Sequence, residues 1–169
     1  MKILVPIDGS EYSIKALKYA INLMKRIGHG SKTTEKETNE IILVNVFPHF
    51  HNSSGVEKTM ESIKTGKSIS ATGFISQMNE MMKQEWADKL VELRKQYEDL
   101  DTKIRTEIIM GSHSNRNIAT SITKYASEEN VDIIVIGNVG LGGISKIKSL
   151  GSVSRNVAEI STCPVLIVH

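Results

Sequence analysis

Short runs of aliphatic and β-branched residues recur along the chain, and each is followed by a stretch whose apolar residues return every three or four positions. Ile3–Ile7 is the first run, closed by the turn and cap residues Asp8-Gly9-Ser10. Ile14, Leu17, Ile21, Met24 and Ile27 then mark an amphipathic helix ending at Gly28. The second run is Ile41–Phe47, continuous rather than alternating, as strands buried on both faces are. A long helix carries Phe74, Met78, Met82, Trp86, Leu90, Leu93 and Tyr97 on one face. Ile104–Met110 predicts a third strand, and Ile118, Ile122, Tyr125 and Ala126 a helix that starts near Ser114 and finishes at Asn130. Val131–Ile136 and Pro164–Val168 are the last two strands, joined through a short helix with Val153, Val157 and Ile160. Strands alternating with helices imply right-handed crossovers. The expected fold is therefore α/β: a single open, mainly parallel five-stranded sheet with helices on both faces. Ligands in such sheets sit beyond the carboxyl ends of the strands, where the strand order reverses. The loops after the first and fourth strands are the ones to search.

The 169 residues fit one domain, 1–169. The polar stretches near 28–40 and 48–73 read as mobile loops, and the second is long for a connection inside a compact domain. One cysteine, Cys163, allows no intrachain disulfide and suits a reducing compartment, where it reads as a small buried apolar residue. A net charge of +2 gives no reason to expect nucleic acid or a membrane surface as partner. Only Ile3–Ile7 stands between Lys2 and Asp8, too little for the apolar core of a secretory signal. No apolar stretch approaches the ~20 residues that span a bilayer. The expected location is cytoplasmic.

The loop after the fourth strand runs from Gly137 to Ser154 and holds five glycines, Gly137, Gly140, Gly142, Gly143 and Gly151. Glycine lets backbone N–H groups approach a ligand with no Cβ in the way. The stretch Gly151–Ser154 then opens a helix, whose first N–H groups and positive dipole end favour an anion. From Ile133 to Ala158 the cations are Lys146, Lys148 and Arg155, with no Asp or Glu. A negatively charged ligand is one reading; a glycine turn with a serine cap is the other. In the loop after the first strand, Asp8 has two roles open to it. It can accept hydrogen bonds from a nucleoside, or it can cap the first helix, since Asp8 and Glu11 have capping-box spacing and Ser10 is a rival cap.

The opening Ile3-Leu4-Val5-Pro6-Ile7-Asp8-Gly9-Ser10 resembles the first strand of universal stress proteins. The end resembles them more closely: Asp132–Gly137, Gly140, Gly151-Ser152-Val153-Ser154 and Cys163–Val168. The resemblance spans both ends and the order of elements, but not residues 28–40 or 48–73. It implies a Rossmann-like sheet of the adenine-nucleotide alpha-hydrolase-like kind. Family members that bind ATP carry two glycines separated by two residues, then nine residues, then glycine and serine or threonine. Gly137, Gly140 and Gly151-Ser152 match, but Leu141–Leu150 is ten residues, one more than the pattern, with Gly142-Gly143 the place for the extra one.

Carried over by position, the resemblance implies that Asp8 and the backbone of Val46 face adenine, with Pro6 and Gly137 near the ribose and Ile136 lining the sugar. Gly140, Gly151, Ser152, Val153 and Ser154 would hold the phosphates of ATP or AMP, with a magnesium or manganese ion bound through those phosphates. It also implies a homodimer joined through the C-terminal strand Val165–Val168, which answers the aggregation hazard of an apolar edge. The expected function is that of an ATP-binding stress-response regulator rather than an enzyme. Gly137–Arg155 offers no carboxylate or histidine to act as a base, which leaves slow hydrolysis at most. The alternative is a dimeric interaction protein of the same fold whose loop binds no nucleotide. His49-Phe50-His51 has metal-binding residue types, but no third ligand has sensible spacing, so solvated loop histidines are the favoured reading.

Overall fold

The computed structural model describes residues 1–28, 39–51, 59–62, 64–99, 102–111, 114–140 and 150–169. Lys2–Pro6 forms β1 and Glu11–Gly28 α1; Glu40–Pro48 forms β2. Thr59–Glu61 and Ser68–Ser70 are β3 and β4, followed by α2 at Ala71–Tyr97. Lys103–Gly111 is β5, Asn115–Glu128 α3, Ile133–Gly137 β6, Ser152–Ile160 α4 and Val165–Val168 β7.

Five strands make one sheet in the order β5-β2-β1-β6-β7, and every neighbouring pair is parallel. The chain builds outward from β1 through β2 to β5, then returns to the other side of β1 for β6 and β7. The order therefore reverses between β1 and β6. Successive residues of each strand face opposite layers. Ile3, Val5, Ile41, Leu43 and Val135 pack with Leu17, Met24 and Leu90 under α1 and α2. Leu4, Ile42, Val44, Ile134 and Ile136 pack with Ala119, Ile122 and Val157 under α3 and α4. Both faces are covered, which is why β1, β6 and the first half of β2 read as unbroken apolar runs, while the edge strand β5 carries Arg105, Thr106 and Glu107.

Several expectations need correction. The segment 48–73 contains an antiparallel hairpin, β3 against β4. Gly66 turns it at φ 65°, and three-residue strands leave too short a pattern to be read from sequence. Residues 29–38 and 52–58, the centres of the two expected mobile loops, lie outside the described residues. The helix expected from Phe74 begins earlier, because the Ser70 hydroxyl caps it by accepting the Gly73 N–H at 3.1 Å. Cys163, expected to be buried, is half-buried beside the Ser161 hydroxyl.

At the amino ends of the strands, Arg105 joins Glu129 at 2.5 Å and Glu107 at 3.3 Å, while Lys103 reaches Glu40 at 3.1 Å and Lys2 reaches Glu129 at 3.5 Å. The hydrogen bond from Arg105 holds the Glu129 carboxyl below the usual carboxylate range. Tyr125 beside them is pushed up to about 12 by burial and by the negative charge of Glu107. This network lies at the end of the sheet opposite the cleft described next.

Candidate functional site: a cleft at the strand-order reversal

The carboxyl ends of β1 and β6 diverge because one crossover leads to each side of the sheet. Between them opens a cleft of about 420 Å³. All ten residues singled out from the sequence line it: Pro6, Asp8, Val46, Ile136, Gly137, Gly140, Gly151, Ser152, Val153 and Ser154. Its apolar floor is Val44, Val46, Ile118, Ile122, Ile136 and Val153, suited to a flat uncharged ring. Among the described lining residues Asp8 is the one ionisable side chain.

The loop after β1 settles the rivalry between Asp8 and Ser10. Ser10 is the cap: its hydroxyl oxygen accepts the Ser13 N–H at 3.1 Å, and its carbonyl accepts the Ile14 N–H at 3.3 Å. Asp8 stands behind the cap. Its Oδ1 accepts from the Ser10 N–H at 3.0 Å and from the Ser10 hydroxyl at 2.6 Å. The first helix is thus begun by a serine whose hydroxyl is aimed by a carboxylate. Asn45, 6% exposed, donates to the Ile7 carbonyl at 2.8 Å and ties this loop to β2.

Across the cleft, the glycines are required by space. A Cβ on Gly137 would stand 2.7 Å from the Tyr12 carbonyl carbon, and one on Gly140 would stand 2.5 Å from Asp8 Oδ2. The two loops therefore meet at Gly140 and Asp8. Gly151 N–H donates to the Asn138 carbonyl at 2.7 Å, and the Ser154 hydroxyl donates to the same carbonyl at 2.8 Å and to Gly151 O at 3.0 Å. These bonds fasten the start of α4 to the end of β6. They also use the Gly151 N–H and the Ser154 hydroxyl proton, two of the groups expected to hold phosphate. The first bond of the α4 ladder is Arg155 N–H to Gly151 O at 3.0 Å. The N–H groups of Ser152, Val153 and Ser154 precede it and point out of the helix start, beside the Ser152 hydroxyl. Arg155 is exposed and lies against the Leu150 carbonyl. Lys146, Lys148 and the expected insertion point Gly142-Gly143 lie outside the described residues.

Sequence reasoning missed Ser10 and Ser13 as lining residues, together with Asn45, Asn115, Ile118 and Ile122. Asn45 carried a signal, a polar residue inside the apolar run Ile41–Phe47. Asn115 follows the Ser114 cap and so belongs to a helix start facing the same end of the sheet.

The profile of the Universal stress protein family matches residues 67–169. Universal stress protein YxiE of Bacillus subtilis is 34% identical over 99% of this chain and 98% of its own. Universal stress protein MJ0531 of Methanocaldococcus jannaschii is 30% identical over 99% of this chain and 81% of its own. The solved structure of MJ0577, a universal stress protein of the same organism, superposes with a TM-score of 0.69 at 30% identity, covering 99% of this chain and 94% of that one. With half of the chain and more inside the family profile, and with relatives matched along nearly its whole length, this chain belongs to the universal stress protein family.

Proposed function

We propose that the cleft is an adenine-nucleotide site, and that the protein is a cytoplasmic, dimeric stress-response regulator whose state follows the nucleotide rather than an efficient enzyme. The observation that carries this reading is the approach of the two loops. Asp8 and Gly140 come together at the strand-order reversal, with an apolar floor on one side and the outward N–H groups of Ser152, Val153 and Ser154 on the other. The floor takes the base, Asp8 and the β1 loop take the nucleoside edge, and the start of α4 takes the phosphates of ATP or AMP. A magnesium or manganese ion fits there as the phosphates' own counter-ion, since the described lining supplies one carboxylate, Asp8, and that carboxylate is engaged with Ser10. The same donor set gives little to a hydrolytic reaction, which needs a base beside the phosphates.

A second reading, an interaction protein of the same fold without nucleotide, is favoured by one observation: the Gly151 N–H and the Ser154 hydroxyl are already bonded within the loop. Mass spectrometry of the denatured protein after purification, followed by melting with ATP and magnesium, separates the two. A copurifying adenine nucleotide, or a melting shift of roughly 5–10 °C at about 100 times the dissociation constant, supports the nucleotide site. Neither a nucleotide nor a shift at millimolar ATP moves the assignment to the interaction protein.

A further inference from the structure

His49-Phe50-His51 follows β2 and shares no lining residue with the nucleotide cleft. Its backbone is held from two sides. The His49 N–H donates to the Gly111 carbonyl at 3.1 Å, which carries the β2–β5 pairing one residue further. Asn79 on α2, 7% exposed, closes a two-point clamp on the residue between the histidines. Its Oδ1 accepts the Phe50 N–H at 3.1 Å and its Nδ2 donates to the Phe50 carbonyl at 2.9 Å. With Phe50 clamped, the two imidazoles emerge on neighbouring positions and meet. Their centroids are 4.4 Å apart, inclined at 50°, and His49 Nδ1 lies 3.2 Å from His51 Nε2.

That separation has a chemical meaning. Two imidazole nitrogens bound at 2.0–2.1 Å to one tetrahedral ion stand about 3.3 Å apart, and at a right angle about 2.9 Å. We propose that His49 Nδ1 and His51 Nε2 form a two-histidine chelate for a borderline divalent transition-metal cation of the zinc, nickel or copper(II) class, the rings turning slightly from their contact at 4.4 Å to the centroid separation of about 5 Å that ligation at this nitrogen spacing requires. Imidazole nitrogen suits those ions, whereas magnesium and calcium prefer oxygen. Among the described residues no group of three or more His, Cys, Asp or Glu surrounds a metal position, so the two imidazoles are the ligands this proposal names. Two pockets share the histidine pair: Glu80 and Lys83 line one of them on the α2 side, and Met110 lines both. Without metal, one imidazole nitrogen donates to the other; the ion takes the place of that shared proton. Asn79 acts as a positioning residue, since it touches the backbone between the ligands and not the ion.

The test uses the full chain stripped of metal by a chelator. Calorimetric titration with zinc chloride and with nickel chloride is expected to show one site per chain, and magnesium chloride none. Single substitutions His49→Gln and His51→Gln, both at partly or fully exposed positions, are expected to weaken zinc binding at least ~10-fold with unchanged melting temperature. The triple variant His29→Gln, His113→Gln, His169→Gln, which removes the other histidines of the chain, is expected to bind as the unmutated protein does. Nitrogen-15 spectra should report metal on Nδ1 of His49 and Nε2 of His51. No binding, undiminished binding in the His49→Gln, His51→Gln double variant, or loss of binding in the triple variant would each overturn the proposal. Because the pair lies outside the nucleotide cleft, this result is independent of whether ATP binds.

Discussion

Substituting Gly140 by alanine separates the contact between the two loops from the general tolerance of the fold. The new methyl would stand 2.5 Å from Asp8 Oδ2, where carbon and oxygen normally keep about 3.3 Å or more. The carboxylate must retreat by roughly 0.8 Å to restore that distance. Its other oxygen is held by the Ser10 N–H and hydroxyl, so the retreat strains or breaks both bonds. Asp8 is half-buried and regains water when displaced, which limits the loss to about 1–2 kcal/mol, or a fall in melting temperature of roughly 2–8 °C for a domain this size. Nucleotide binding should suffer far more, because the carboxylate proposed to face the nucleoside is turned away. The assay is built into the chain. Its single tryptophan, Trp86, packs against Gly9, with Cη2 3.3 Å from where a Cβ would stand, one residue from Asp8. Trp86 emission during ATP titration should change in the unmutated protein and stay flat in Gly140→Ala. Gly137→Ala is the contrast: its methyl meets the Tyr12 backbone at 2.7–2.9 Å, which cannot swing aside, so it should cost about 2 kcal/mol. If Gly140→Ala melts like the unmutated protein and titrates with ATP as it does, the reasoning from the Asp8 contact is wrong.

Ser10→Ala removes the cap of α1 and should lower the melting temperature by roughly 2–4 °C, about 1 kcal/mol; no change would mean that another residue caps the helix. Glu129 has a depressed folded-state pKa, so its contribution is present above the ordinary carboxylate range and is lost as the pH falls through the folded value. Arg105→Gln should therefore flatten the acid limb of a stability–pH curve, and an unaltered limb would refute the coupling. Tyr125 is raised to about 12, so the folded state loses stability as pH climbs from the ordinary tyrosine value of 10.0 towards 12. Tyr125→Phe should remove that alkaline decline; its persistence would point to another group. The β7 edge, paired on one side with β6, should join a second chain and give twice the 18.7 kDa of one chain by light scattering. A monomer at micromolar concentration would refute this.

The central strands of the main sheet are legible because a parallel strand covered on both faces is apolar nearly throughout, as Ile3–Val5, Ile41–Val44 and Ile133–Ile136 are, whereas the edge strand β5 carries Arg105, Thr106 and Glu107 between its apolar residues. Their order is not. Nothing in the runs themselves says that β6 pairs with β1 rather than with β5. The location of the site followed from chemistry at the ends of two strands, since glycines in the loop after β6 and Asp8 after β1 are unusual in kind. What remained hidden were features decided by distance between segments far apart in sequence. Asp8 and Ser10 were equivalent as caps until Ser13 was seen to donate to Ser10. Gly140 lines the cleft as expected, and the nearness of Asp8, which also requires a glycine there, shows only in the fold. The clamp of Asn79 on Phe50 joins residues 29 apart, and it turns two histidines that looked like solvated loop residues into a facing pair.

The proposed nucleotide site in the cleft between β1 and β6 can be tested by direct binding. Calorimetric titration of ATP with magnesium into protein refolded free of nucleotide tests it most directly, alongside the same titration of Asp8→Ala. One ATP per chain is expected, with a markedly weaker isotherm for Asp8→Ala even when that variant is held well below its melting temperature. No heat of binding from millimolar ATP or AMP in the unmutated protein, or an isotherm that Asp8→Ala leaves unchanged, would contradict it.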